Sequence, residues 1–236
     1  MSTLVSYEMH DSIANITFDD GNVNVMSLPM LTELGAALDR AAADRAVVLL
    51  SGRNGIFSAG FDLRVLRAGG SEAIAMVRAG FELAERVLAF PMPVVIACTG
   101  HAVAMGTFLL LAGDYRVGAR GLYKFTANEV AIGLTMPLAA IEILRQRLTP
   151  AHFNRAVMLA ETFSPETAVE AGFLDQVVEP AEIQSVARAT AVAVSSLDMR
   201  AHAATKLRAR APSLEAIRAG IDADYAALRR PALSLP

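Results

Sequence analysis

Two glycine-punctuated turns hold the residues best placed to do chemistry. They are Phe57-Ser58-Ala59-Gly60-Phe61-Asp62-Leu63 and Gly100-His101-Ala102-Val103-Ala104-Met105-Gly106-Thr107, each preceded by an apolar run and followed by a helical pattern. Free N–H groups at a helix start, backed by the helix dipole, favour a developing negative charge. Two such turns side by side would aim a pair of donors at one oxygen. On spacing alone, plain structural turns are the commoner account of this punctuation. Other nucleophile readings are weaker. Ser58 lies in Gly55-Ile56-Phe57-Ser58-Ala59-Gly60, one residue too long for the G-x-S-x-G elbow of serine hydrolases. Cys98 sits inside Val94-Val95-Ile96-Ala97-Cys98, where a thiol is a buried, inert core group. His101 reads as a hydrogen-bonded structural residue, and His10, His152 and His202 lack metal-ligand spacing.

The elements that must carry these turns follow from periodicity. Residues 4–18 read as two short strands joined at Asp11-Ser12. Ser27 is placed to cap a helix from Leu28 to Ala43, with apolar Leu31, Leu34, Ala37, Leu38 and Ala41 on one face. The runs 46–51 and 94–99 are continuously apolar, as in strands covered on both faces. A loop is expected over 53–60, a helix from Phe61, and a longer helix from Ser71 to Phe90, closed by Pro91 and Pro93. A short helix over 106–112 and a strand over 115–119 follow. Beyond Pro137 the pattern is helical, save the apolar piece Phe173-Leu174-Asp175-Gln176-Val177-Val178. Strand, glycine turn and helix recur, which predicts an α/β fold.

With 236 residues and 54% hydrophobic composition, the chain supports an extensive core. A formal net charge of -3 argues against general nucleic-acid binding, so an anionic ligand must be met locally. One cysteine excludes a disulfide framework and fits a reducing compartment. The start, Met1-Ser2-Thr3-Leu4-Val5, lacks signal-peptide character, and no apolar run is long enough to span a bilayer. A cytoplasmic protein without membrane partners is expected.

Five segments, in order and at natural spacing, resemble the crotonase (enoyl-CoA hydratase/isomerase) superfamily. Phe57-Ser58-Ala59-Gly60-Phe61-Asp62-Leu63 is similar to F-[SC]-A-G-x-D-[LI]. Pro91-Met92-Pro93-Val94-Val95-Ile96-Ala97 resembles P-x-P-V-[IV]-A-A. The stretch from Gly100 to Val117 resembles the family's glycine triplet and its helix ending in C-D-x-x-[IV]-A. Asn128-Glu129-Val130-Ala131-Ile132-Gly133 resembles P-E-x-x-x-G. Ala168 to Val178 resembles A-x-x-x-G-[LF]-[VI]-[DN]-x-V-V.

The resemblance implies a crotonase-type spiral of ββα repeats over 1–180, binding a CoA thioester, and a C-terminal helical region, 181–236, for contacts in a homotrimer or a dimer of trimers. By position it implies oxyanion donors at the backbone N–H groups of Ala59 and Met105. Ala59, Gly60, Asp62, Leu63, Gly106, Phe108 and Lys206 would contact substrate, Lys206 by approaching the CoA phosphates. A solvated helix-face lysine accounts for Lys206 equally well, and Asp62 and Asp114 also read as caps or turn anchors. Met105 replaces a usual glycine, which leaves its backbone angles and side-chain placement to be established. Of the two glutamates of family hydratases, the first position holds Phe108 and the second Glu129. A single base beside an oxyanion hole is the equipment of a Δ3,Δ2-enoyl-CoA isomerase of fatty-acid metabolism, with no cofactor beyond the CoA of the substrate. Hydration of 2-enoyl-CoA is the near alternative. A non-catalytic acyl-CoA-binding protein is the alternative of another class.

Overall fold

The computed structural model describes residues 3–229. Strand β1 (Val5–His10) turns tightly into β2 (Ile13–Phe18) through Asp11 and Ser12, both at positive φ (49° and 64°). Two consecutive left-handed residues suit the twist of an antiparallel hairpin. After β3 (Val25–Met26) the Ser27 hydroxyl accepts from Met30 N and caps α1 (Leu28–Ala43). The chain then runs through β4 (Val47–Ser51), β5 (Gly55–Ser58), β6 (Gly60–Phe61), α2 (Leu63–Ala68) and α3 (Gly70–Ala89). Next come β7 (Val94–Cys98), β8 (Gly100–Val103), α4 (Met105–Ala112), β9 (Tyr115–Ala119) and β10 (Phe125–Thr126). Helices α5 (Leu138–Arg145), α6 (Pro150–Leu159) and α7 (Pro165–Ala171) precede β11 (Gln176–Val178), and α8 (Ile183–Ser195) and α9 (Met199–Leu228) end the described chain.

A six-stranded sheet in the order β1-β2-β4-β7-β9-β11 is parallel apart from the β1–β2 hairpin. Beside it lie a three-stranded parallel sheet, β10-β8-β5, and the β3–β6 pair. Each turn of the spiral from β2 to β10 thus gives one strand to the large sheet and one or two to the small sheets, as in the ββα repeat that the resemblance implied. The expected loop over 53–60 is instead β5 and the start of β6, and the helix expected at Phe61 begins at Leu63. Pairing with β8, distant in sequence, makes β5 a strand. Gly100 permits the close approach, since a Cβ there would lie 2.0 Å from the Gly55 carbonyl carbon.

Alternation along the buried strands divides the interior. Val48, Leu50, Val94 and Ile96 face the main core with α1, α3 and α4, whereas Val47, Leu49, Val95 and Ala97 face a second cluster. Ile183, Ala187 and Ala191 of α8 close that second cluster. Residues on both sides of position 180 thus share the second cluster. Helix α9 packs along α3 and α5 of the same chain. No described helix is long and apolar enough to cross a membrane. Cys98 is buried, and desolvation pushes its thiol up to about 12.

Candidate active site

The first turn links β5 to β6 and α2. The Ser58 hydroxyl donates to Asn24 O (2.7 Å) and accepts from Gly60 N (3.1 Å), so it ties the turn down and is not a free nucleophile. The Ala59 N–H donates to Val23 O at 3.0 Å. The expected oxyanion donor thus has a main-chain acceptor in this structure, and the residue lines the cavity described below. Asp62 caps α2, accepting from Arg64 N (2.9 Å) and pairing with the Arg64 guanidinium, which holds its carboxyl below the usual range. It is an anchor and does not line the cavity.

The second turn enters α4. Ala104 adopts φ 49°, ψ -121°, a conformation otherwise suited to glycine, and its carbonyl accepts from Thr107 N and Phe108 N. Met105, the first helical residue, needs no left-handed angle. Its N–H lies ahead of the helical ladder and, among the described residues, has no acceptor. The Met105 side chain turns into the core toward Gly80, away from the cavity. The two turns touch. A Cβ on Gly60, itself at φ 91°, would lie 2.9 Å from Ala104 Cβ and 3.3 Å from Met105 N. A Cβ on Gly106 would lie 2.6 Å from Ser58 O. Both glycines therefore serve the close approach of the turns.

Beside the paired turns opens a cavity of about 590 Å³, lined mostly by apolar side chains of α2, α3 and α4. Phe61, Phe81 and Phe108 form its aromatic wall. Phe81 stacks on Phe108 (centroids 5.8 Å, 26°), and Phe61 meets Phe81 edge-on. Leu63 stands at the rim, half exposed. Glu129 is the sole titratable side chain among the described residues that line the cavity. It is 7% exposed, its Oε2 lacks a hydrogen-bond partner, and burial pushes its carboxyl up to about 7. Its carbonyl accepts from Ile132 N and Leu134 N, so a 3-10 turn over Val130–Ile132, ended by Gly133 at φ 80°, holds it in place. The neighbouring Asn128 also presents a buried, unpaired Oδ1. Sequence reasoning did not single out Asn128 or Leu228 as site residues. Only Asn128, adjacent to the glutamate, carried any local signal.

One expected contributor lies elsewhere, and His101 is structural. Lys206 does not line this cavity: its Nζ donates to Asp114 Oδ2 at 2.7 Å and to Met92 O, with the side chain 4% exposed. Asp114 is nearer than any solvated ligand and takes up the charge. His101 accepts from Lys124 N (3.1 Å) and meets Tyr123 edge-on, the structural role expected of it.

The arrangement places a carboxyl of near-neutral pKa in a mostly apolar cavity whose wall includes the turn that carries an unpaired backbone N–H. Such a pair can abstract a proton and stabilise the resulting oxyanion. Comparisons with known proteins agree with that chemistry. The profile of the enoyl-CoA hydratase/isomerase family matches residues 8–230. A Mycobacterium tuberculosis structure described as a probable enoyl-CoA hydratase, EchA3, is 50% identical, with a TM-score of 0.93 and 95% of each chain covered. A second structure of that same protein, described as an enoyl-CoA isomerase, is 51% identical, with a TM-score of 0.92, covering 96% of this chain and 99% of its own. Human mitochondrial enoyl-CoA delta isomerase 1 is 31% identical over 227 residues, covering 94% of this chain and 75% of its own. These relatives carry two different activity names but one fold, and the chain belongs to the enoyl-CoA hydratase/isomerase (crotonase) family of enzymes.

Proposed function

We propose that this enzyme is a Δ3,Δ2-enoyl-CoA isomerase in which Glu129 is the single acid–base. The observation that carries the reading is the solitary, unpaired carboxyl of Glu129 in an apolar cavity, with the Phe108 ring where a second acid would be needed to handle water. The carboxylate takes a proton from the α-carbon of a 3-enoyl thioester. The electron pair spreads onto the thioester oxygen, which the Met105 N–H receives. The carboxylic acid then returns the proton to the γ-carbon. The double bond moves from the β,γ to the α,β position, and atoms and charge balance without a second reactant. A pKa near 7 suits a group that must both take and return a proton.

One observation favours hydration instead. Asn128 Oδ1 and Glu129 Oε2 are neighbouring unpaired acceptors, and together they could orient a water. The test is incubation with a 3-enoyl-CoA and, separately, a 2-enoyl-CoA, followed by ultraviolet absorbance and product mass. Conversion of the first without change of mass, and no water gained by the second, is the expected result. Hydration of the 2-enoyl substrate as the main activity would overturn it.

A further inference from the structure

The far end of the cavity is a partition. On α3, Gly70, Ala73, Ile74, Val77 and Phe81 line the cavity at intervals of three or four residues, a single helix face. That face runs roughly 16 Å, at about 1.5 Å per residue. Phe81 marks the end beside Phe108, and Ile74 lies toward the other. The last part of α9 runs antiparallel against it, with Arg78 bonded to Asp222 and stacked on Tyr225. This brings Leu228, from the final turn of α9, to the wall at Ile74. Ile74, Val77, Phe81 and Leu228 also line a second, small void of about 10 Å³, backed by Ile221, Asp224 and Tyr225 between α3 and α9. The same side chains thus close one space and open onto another.

Building on the reading of this cavity as an acyl-CoA site, but not on whether it isomerises or hydrates, we infer that the site takes medium- to long-chain acyl groups and that Leu228, with Ile74 and Val77, sets where the chain must stop. A four-carbon acyl group would leave most of the α3 face uncovered. A longer chain gains apolar burial along that face until it meets the partition. Full burial of each methylene tightens binding about fourfold. Past the partition, added carbons must displace Leu228 or leave the cavity, and the gain ends. Leu228 is half exposed at a helix end, so its replacement removes little of the core.

Calorimetric titration with saturated acyl-CoAs of four to sixteen carbons reads this directly. The wild type is expected to bind more tightly with each added pair of carbons and then level off. In Leu228→Ala the levelling is expected at longer chains, and in Leu228→Trp at shorter ones; a matching shift in Val77→Ala would place the stop on the same wall. Affinity independent of chain length, or an identical profile in Leu228→Ala and Leu228→Trp, overturns the inference while leaving an acyl-CoA site intact. Failure of every acyl-CoA to bind folded wild-type protein would instead remove the reading of the cavity itself, and the inference with it.

Discussion

Two regions of this enzyme bury charge, and they do so in opposite ways. At Asp114 every buried charge has a partner. The carboxylate accepts from Val94 N and from Lys206 (both 2.7 Å) and pairs with Arg210 at 2.9 Å. Arg210 also donates to Leu88 O, and Arg147 to Leu111 O and Gly113 O, so cations satisfy carbonyls at the ends of α3 and α4. Arg116, nearby, is held by Asp175 and Gly172 O. Burial lowers Lys206 to about 8 despite Asp114, and lowers Arg147 to about 10, with the neighbouring arginines adding to the effect. At Glu129 the carboxyl is more deeply buried than that of Asp114, yet Oε2 has no partner. The first arrangement locks elements together. The second leaves the desolvation of a carboxyl uncompensated, as the proposed acid–base role requires. Pairing, more than burial, separates the structural cluster from the proposed catalytic site.

Exchanging the two characters should have distinct consequences. Replacing Glu129 by Gln keeps the shape and removes the proton-transfer group; turnover of a 3-enoyl-CoA is expected to fall by ~10²–10⁴, measured by steady-state kinetics with folding checked by circular dichroism. Wild-type activity in that variant would return Glu129 to an ordinary carboxylate. Asp114→Asn should do the reverse, lowering stability by ~3–5 kcal/mol in denaturant titration because Lys206 and Arg210 lose their counter-charge. Lys206→Met should cost less, since Arg210 still answers Asp114.

Stability against pH sharpens the contrast. The Glu129 carboxyl is raised above its unfolded value, so its contribution is fully present below about pH 4.5 and is lost as pH rises through about 7. Glu129→Gln should therefore be more stable than wild type above pH 8, by on the order of 2 kcal/mol, and should lose that advantage near pH 4. Equal stability at both extremes would mean that the carboxyl is solvated. The smallest effect concerns the backbone. Ala104 holds a glycine-like conformation at the oxyanion turn, and Ala104→Gly is expected to raise stability by about 1 kcal/mol in thermal melts.

Much of this was legible in the sequence. The Asp11-Ser12 hairpin, the Ser27 cap and the apolar strands at β4, β7 and β9 follow from local periodicity and turn chemistry. Glu129 and the two glycine turns follow from motif resemblance. What was not legible depends on distant partners. Strand β5 exists because β8 lies beside it, and the Ala59 N–H has a main-chain acceptor because Val23 O reaches it. Lys206 looked like a ligand contact on a helix face until Asp114, distant in sequence, met it. The concern over Met105 was placed one residue too late: the unusual angles fall on Ala104, and the methionine side chain has room in the core beside Gly80.

The central claim is that one carboxyl does all the proton transfer, and the pH dependence of kcat/KM for 3-enoyl-CoA conversion tests it most directly. The base must be ionised to take the first proton, so the account predicts a rate that rises tenfold per pH unit at low pH, bends once near pH 7 and stays level above. A profile with two ionisations, or one flat from pH 5 to 9, would contradict it by showing that another group, or none in this range, handles the proton.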